Sequence, residues 1–290
     1  MRTRYGFALP SLSVLVSVTL LCVGTSQAKP LFCEVGVAGT TVLRVGFSAL
    51  LLCLLWRPWR WPSSRADALR LAAYGSSLGM MNLLFYEAIQ TLPLGIAVAL
   101  EFSGPLAVAL WSSRRRIDGL WLALAVCGLG LLLPWRGRGM LDPSGLLMIL
   151  GAAICWAGYI CFGKSVGHLP SGPAVAWGLL AATVVVAPFG LAGGGHRLMD
   201  GPVLLHGAWI AIVSSAIPIS LEMSALKRLP RETYGILVSL EPAVAGLIGW
   251  VWLGERLETL QWASIVLILV ASAGSSVTAS IRGDMLVGPA

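Results

Sequence analysis

Five ionisable residues stand in or at the ends of strongly apolar stretches: Arg44, Glu87, Glu101, Glu222 and Glu241. In hydrocarbon such a group costs ~2.5 kcal/mol or more, so each calls for a partner or a task. Glu101 is the deepest, flanked by Leu100 and Phe102. Two readings stand for it. It is a structural partner for Arg44, since a guanidinium takes a carboxylate with two parallel hydrogen bonds. Or it faces a central cavity, where it can exchange a proton or meet a substrate ammonium. Arg44 is the only base well inside an apolar stretch, and a substrate carboxylate would suit it as well as Glu101. Together the two complement both ends of a zwitterionic amino acid.

Glu241 precedes Pro242, which frees a backbone carbonyl one turn back, near Val238, and weakens the helix there. Glu222, close to Lys227-Arg228, reads as a snorkelling side chain or an interfacial ion pair. Glu87, three residues before Gln90, reads as a vestibule residue near a helix end. Asn82 can hydrogen-bond across helices or line the cavity. Trp156 and Tyr159, one turn apart, can form a pocket wall, though both also suit plain helix packing.

The elements that must position these groups follow from composition. Of 290 residues, 57% are hydrophobic and 11% charged, with a mean hydropathy of +0.83. A soluble domain carries about a quarter charged residues. So few charges cannot cover a water-facing surface, and a bilayer is the solvent that tolerates them. Ten apolar segments can be counted: Leu9 to Ala28, Ala38 to Trp56, Leu71 to Ile89, Leu94 to Ser112 and Leu120 to Trp135, then Gly145 to Phe162, Ala174 to Gly190, Leu204 to Met223, Thr233 to Leu253 and Leu260 to Ala279. Backbone groups in lipid must bond internally, so these runs should be helices. Asp142-Pro143 is a plausible helix start. Ser26-Gln27-Ala28 resembles a signal cleavage site, but an uncleaved first helix is preferred in a chain that spans the membrane throughout.

The net charge of +7 is placed as cytoplasmic loops require, which argues against nucleic acid as a partner. With the N-terminus inside, fourteen of the 20 Lys and Arg fall on the inner side and five outside. Ten spans bring the C-terminus back inside. The chain also repeats itself. Leu92-Pro93 and Leu229-Pro230 each fall between paired helices, and Pro105 and Pro242 each follow twelve residues later. Halves of five helices, 1–140 and 141–290, then have opposite orientation, the inverted repeat of many secondary transporters. The expected fold is an all-α polytopic membrane protein of ten transmembrane helices in two inverted five-helix repeats.

Other chemistries lack their residues. The six cysteines show no CxxC spacing, the three histidines share no spacing, and no HExxH or Ser-His arrangement appears, so neither an enzyme nor a metal site is expected. Gly193-Gly194-Gly195 lacks the GK[ST] ending of a phosphate-binding loop. No cofactor is expected. A membrane scaffold would show larger exposed loops than those here, the longest of which run to roughly a dozen residues.

Gly75 to Asn82, Phe85-Tyr86, Ile89 to Thr91, Pro93 to Phe102, Gly104 to Leu110, Ser220 to Met223 and Glu241 to Ala243 are the stretches that carry a resemblance. Through them the chain, from about Gln27 to Thr278, resembles the EamA family of the drug/metabolite transporter superfamily, most closely its amino-acid-exporting branch. The resemblance implies ten helices in two inverted repeats, cytoplasmic termini in a bacterial inner membrane, and export of a small solute in exchange for protons. Glu101 takes the branch's Glu-x-x-Gly-Pro position, Arg44 its helix-two arginine and Lys29 a lysine after the first helix. The chain departs at Glu87 and in its N-terminal segment. The expected substrate is a small neutral amino acid such as threonine or homoserine, with another metabolite or a lipophilic cation as the rival. The expected binding or coupling residues are Arg44, Asn82, Glu101, Trp156, Tyr159 and Glu241. No oligomeric state is implied.

Overall fold

The computed structural model describes residues 2–58, 64–111, 116–132, 141–226, 228–229 and 231–286. Arg60, Arg114, Arg115, Arg136, Arg138, Lys227, Pro230 and the end of the fifth apolar segment lie outside the described residues. Among those described, all regular structure is helical. The helices are α1 (Arg2–Ser26), α2 (Phe32–Trp56), α3 (Arg65–Ala88), α4 (Leu94–Glu101), α5 (Ser103–Trp111), α6 (Arg116–Leu132), α7 (Pro143–Ser165), α8 (Ser171–Gly194), α9 (Gly201–Ala211), α10 (Ile217–Leu226), α11 (Arg231–Val238), α12 (Glu241–Leu253) and α13 (Thr259–Leu286).

Among the described residues, five stretches are long and apolar enough to cross a membrane: Leu9–Trp56, Pro143–Ser165, Ser171–Met199, Gly201–Glu222 and Thr233–Leu253. Their outer faces are apolar too. Ile154 and Val184 are each 73% exposed, an arrangement that suits lipid rather than water. The chain is an all-α polytopic membrane protein.

Three of the expected segments are broken where prolines disturb the backbone. Leu94 to Ser112 splits at Phe102 into α4 and α5, because Pro105 has no N–H for the carbonyl of Glu101. The ninth segment splits likewise at Ser239-Leu240, ahead of Pro242. The eighth contains a π-helical turn, Ile212–Ala216, between α9 and α10. Pro218 cannot donate to the carbonyl of Ser214, and the wider turn absorbs that loss. The helix of the second segment begins at Phe32 rather than Ala38, and Gly36, at φ 71, bends it in its first turns. The expected start after Asp142 is observed: α7 begins at Pro143.

The chain forms two compact units, and each draws on both halves of the sequence. The first comprises Met1–Ser26, Leu92–Asp142 and Ile217–Ala290; the second comprises Gln27–Thr91 and Pro143–Ala216. In the second unit α3 packs on α7 and α8, and α2 on α8 and α9. Small residues bring these backbones together: Gly75 and Gly79 of α3 lie on Gly178 and Ala182 of α8. In the first unit α1 packs on α10 and α12, α4 on α12, and α13 on α6 and α11. Gly95 crosses Gly246 so closely that a Cβ on Gly95 would stand 2.5 Å from the Gly246 Cα.

The start of α4 is capped from far along the chain. Gly254, in the left-handed conformation (φ 67), ends α12 and turns the chain so that Glu255 faces α4. Its Oε2 accepts a hydrogen bond of 2.7 Å from the Leu94 N–H. A carboxylate there meets an unsatisfied donor and the positive end of the helix dipole. Glu255→Ala should cost about 1 kcal/mol, read as a lower melting temperature of the purified protein in detergent. An unchanged melting temperature would show that the cap contributes nothing.

Candidate functional site

The second unit holds four of the expected residues. Arg44 is buried on α2, 8% exposed. Its Cζ lies 5.1 Å from the ring centroid of Tyr86 on α3. Tyr86 is fully buried, and the Phe32 ring stands against it, centroids 5.4 Å apart. A desolvated cation over a ring face gains about 2 kcal/mol. A guanidinium also carries in-plane donors with the geometry that binds a carboxylate. Below it, Ser48 Oγ donates to the Arg44 carbonyl at 2.6 Å.

Asn82 is half-buried on α3, and its Nδ2 donates to the Leu78 carbonyl of its own helix at 2.8 Å. Trp156 is half-buried on α7. Tyr159, one turn further, stacks on Tyr74 of α3 with centroids 4.7 Å apart and hydroxyls 3.1 Å apart. The two tyrosines line an open cavity of about 220 Å³ with Gly163, Gly167 and Ser171. Drug-sized pockets run to ~300–1,000 Å³, so the space fits a small solute. The wall partner of Tyr159 is thus Tyr74, where the sequence suggested Trp156. At the adjoining helix ends Asp67 Oδ1 holds Arg70 at 3.1 Å and His168 at 3.2 Å, tying α3 to the turn before α8.

The first unit holds the carboxylates. Glu101 is buried, 7% exposed, at the last position of α4. Its helix is interrupted there: Phe102 N–H bonds back to Val98 and the ladder resumes with Leu106 to Phe102. Glu241 opens α12 and lies within electrostatic reach of Cys22 on α1. Ser239, in the break before it, donates to the Gly235 carbonyl at 2.7 Å and shares a hydrogen bond with Ser272 of α13 at 2.9 Å.

Glu222 differs from its sequence reading. Its carboxylate does not reach for the surface; it accepts hydrogen bonds from Ser17 of α1 at 2.8 Å and from Tyr234 of α11 at 3.3 Å. The signals for it were an acid inside an apolar helix and a serine inside another. Their separation of 205 residues hid the pairing. Tyr86, Tyr74 and Glu255 were likewise missed, because aromatic rings and a loop acid carry no spacing signal.

Arg44, Asn82, Trp156 and Tyr159 therefore belong to the second unit and Glu101 and Glu241 to the first. The chemistry such residue types offer is carboxylate binding at the buried Arg44 and proton or ammonium binding at the buried Glu101.

A sequence model described as the EamA-like transporter family matches residues 143–277. The "Threonine/homoserine exporter RhtA" of Salmonella typhimurium (strain LT2) is 47% identical over 272 residues, covering 93% of this chain and 92% of the relative. The protein of that name from Escherichia coli (strain K12) is 47% identical over 271 residues, with 93% and 92% covered. The "Uncharacterized transporter YwfM" of Bacillus subtilis is 24% identical, covering 80% and 81%. A solved crystal structure aligns with a TM-score of 0.62 at 18% identity over 97% of this chain and 100% of its own. That likeness concerns the fold alone.

Proposed function

We propose, since this chain belongs to the EamA-like transporter family and is a membrane transporter rather than an enzyme, that it exports small neutral amino acids of the threonine and homoserine kind in exchange for protons. The observation that carries this reading is the 47% identity to exporters of that name over 93% of the chain. The buried Arg44 and Glu101 each support it, since a guanidinium suits a carboxylate and a buried carboxylate suits a proton.

In this reading the chain crosses a bacterial inner membrane ten times, as two inverted five-helix repeats with both termini in the cytoplasm. The charge asymmetry of the loops supports the orientation. The repeat is supported by two matching breaks. α4 gives way at Phe102 and α11 at Ser239, each three residues before a proline that follows a Leu-Pro turn by twelve residues. A cavity open to the cytoplasm takes the substrate, and Arg44 binds its carboxylate. Glu101 exchanges its proton for substrate. Rocking of the repeats exposes the substrate outside, where a proton displaces it. Proton and substrate then bias the same conformational equilibrium, which is what coupling requires.

Proteoliposomes loaded with a labelled amino-acid panel test this. Threonine and homoserine should leave under an imposed pH gradient, and a protonophore should stop them. If no amino acid moves while an organic cation does, the alternative substrate class takes its place; the tyrosine-lined cavity is the feature that would suit a cation.

A further inference from the structure

Glu222 sits where three helices of the first unit meet, and it competes with a backbone carbonyl for one serine proton. The Ser17 hydroxyl has one proton and two acceptors in range: Glu222 Oε1 at 2.8 Å and the Pro218 carbonyl oxygen at 3.1 Å. Ser17 is fully buried, so water does not make up the difference. An ionised carboxylate only accepts. It takes the serine proton in preference, because the charge strengthens that bond, and the Pro218 carbonyl is left with its helical N–H donor alone.

A proton on Oε1 resolves the conflict. The carboxyl then donates to Ser17 Oγ, and the serine hydroxyl turns to the Pro218 carbonyl. Tyr234 donates to Oε2 at 3.3 Å in both states. One proton is gained, no other covalent bond changes, and the donors run in one line from Tyr234 through Glu222 and Ser17 to the backbone of α10. Chains of this kind strengthen one another in a medium of low dielectric. The anchored carbonyl belongs to the residue just past the π-helical turn, where the helix is already weakened.

We propose that Glu222, with Ser17 and Tyr234, is a second protonation site, and that a proton bound there locks α1 to the backbone of α10 beside the π turn. Its role rests on the proton-coupled export reading; its existence as a proton site does not. Tyr234 on α11 is the ionisable group bonded to it; the elements around it also carry Cys22 on α1, Glu241 at the head of α12 and the exposed Arg228 just past α10. The side chains of Arg2, Arg4, Arg231 and Glu232 lie outside the described residues. Protonation of Glu222 sets the line of hydrogen bonds, whereas Glu101 exchanges its proton directly for substrate.

Two measurements on the full-length protein in lipid test this. The first is an infrared difference titration that follows the carbonyl stretch of protonated carboxyl groups without any substrate. A band should titrate in the wild type, vanish in Glu222→Gln and shift in Ser17→Ala and Tyr234→Phe. A band set unchanged by Glu222→Gln overturns the site. The second compares pH-driven accumulation with counterflow in proteoliposomes. Glutamine keeps the donor and acceptor of the protonated acid, so Glu222→Gln should lower accumulation about tenfold more than counterflow. Equal losses, or wild-type accumulation, overturn the coupling role. If Glu222→Gln proves unstable, Tyr234→Phe and Ser17→Ala carry both readouts. A band lost in Glu222→Gln, with no amino acid moved by the wild type, sinks the export reading and leaves the proton site standing.

Discussion

Glu101→Gln is expected to abolish pH-driven efflux from proteoliposomes and to weaken substrate counterflow with it. The carboxylate lies 7% exposed at the point where α4 ends, and Pro105 withholds the N–H that its carbonyl would have accepted in an unbroken helix. A charge held there needs a task that repays its desolvation. If the task is to alternate between a proton and the substrate ammonium, glutamine performs neither half. Loss of a hydrogen bond to a charged group costs about 1.5–3 kcal/mol, so substrate affinity should fall about tenfold to a hundredfold. Both readouts fall together, in contrast to the split expected for Glu222→Gln. Unchanged pH-driven efflux in the variant would sink the assignment of Glu101.

Gly79→Leu should prevent the second unit from assembling. A Cβ at Gly79 would stand 2.8 Å from the Ala182 carbonyl oxygen and 3.0 Å from its Cα. One at Gly75 would overlap the Gly178 carbonyl oxygen and come to 2.6 Å from the Ala181 Cβ. The opposing atoms are largely backbone, so no rotamer change relieves the clash; α3 and α8 must part. Even one added methyl in such a contact costs about 1–3 kcal/mol, and leucine adds three further carbons. The expected result is a variant that elutes as aggregate in size exclusion, with Gly79→Ala intermediate. A monodisperse Gly79→Leu protein with the wild-type melting temperature would show that the two helices are not held by this contact.

How much of this was legible in the sequence depends on how far each constraint reaches. Where described, the apolar segments fall on helices, because lipid leaves the backbone no other way to satisfy itself. The start of α7 and the weakness near Val238 were also readable, since Pro143 and Pro242 act within one turn of themselves. The Gly75 and Gly79 spacing was visible, but its partners on α8 were not, because small-residue spacings are common in membrane helices. The long-range features were out of reach. The hydrogen bond from Ser17 to Glu222, the Glu255 cap and the stacking of Tyr74 on Tyr159 each join residues far apart in the chain. The reading of Glu222 as a surface-seeking side chain failed for that reason. Its nearby basic residues were visible, and its hydroxyl donors were not.

The interleaving of the two units sets an order of birth. A nascent chain is delivered from its N-terminus, at ~5–20 residues per second. The second unit has all its parts once Ala216 has emerged. The first unit contains the N-terminal helix, yet it lacks α10 to α13 until the last quarter of the chain is made. Until then Ser17 has no Glu222, Gly95 has no Gly246, and the amide of Leu94 waits for an acid 161 residues downstream. The helix α1 is thus among the last to find its neighbours, and a ribosome that stalls after Ala216 leaves one unit complete and the other without its last four helices, α10 to α13.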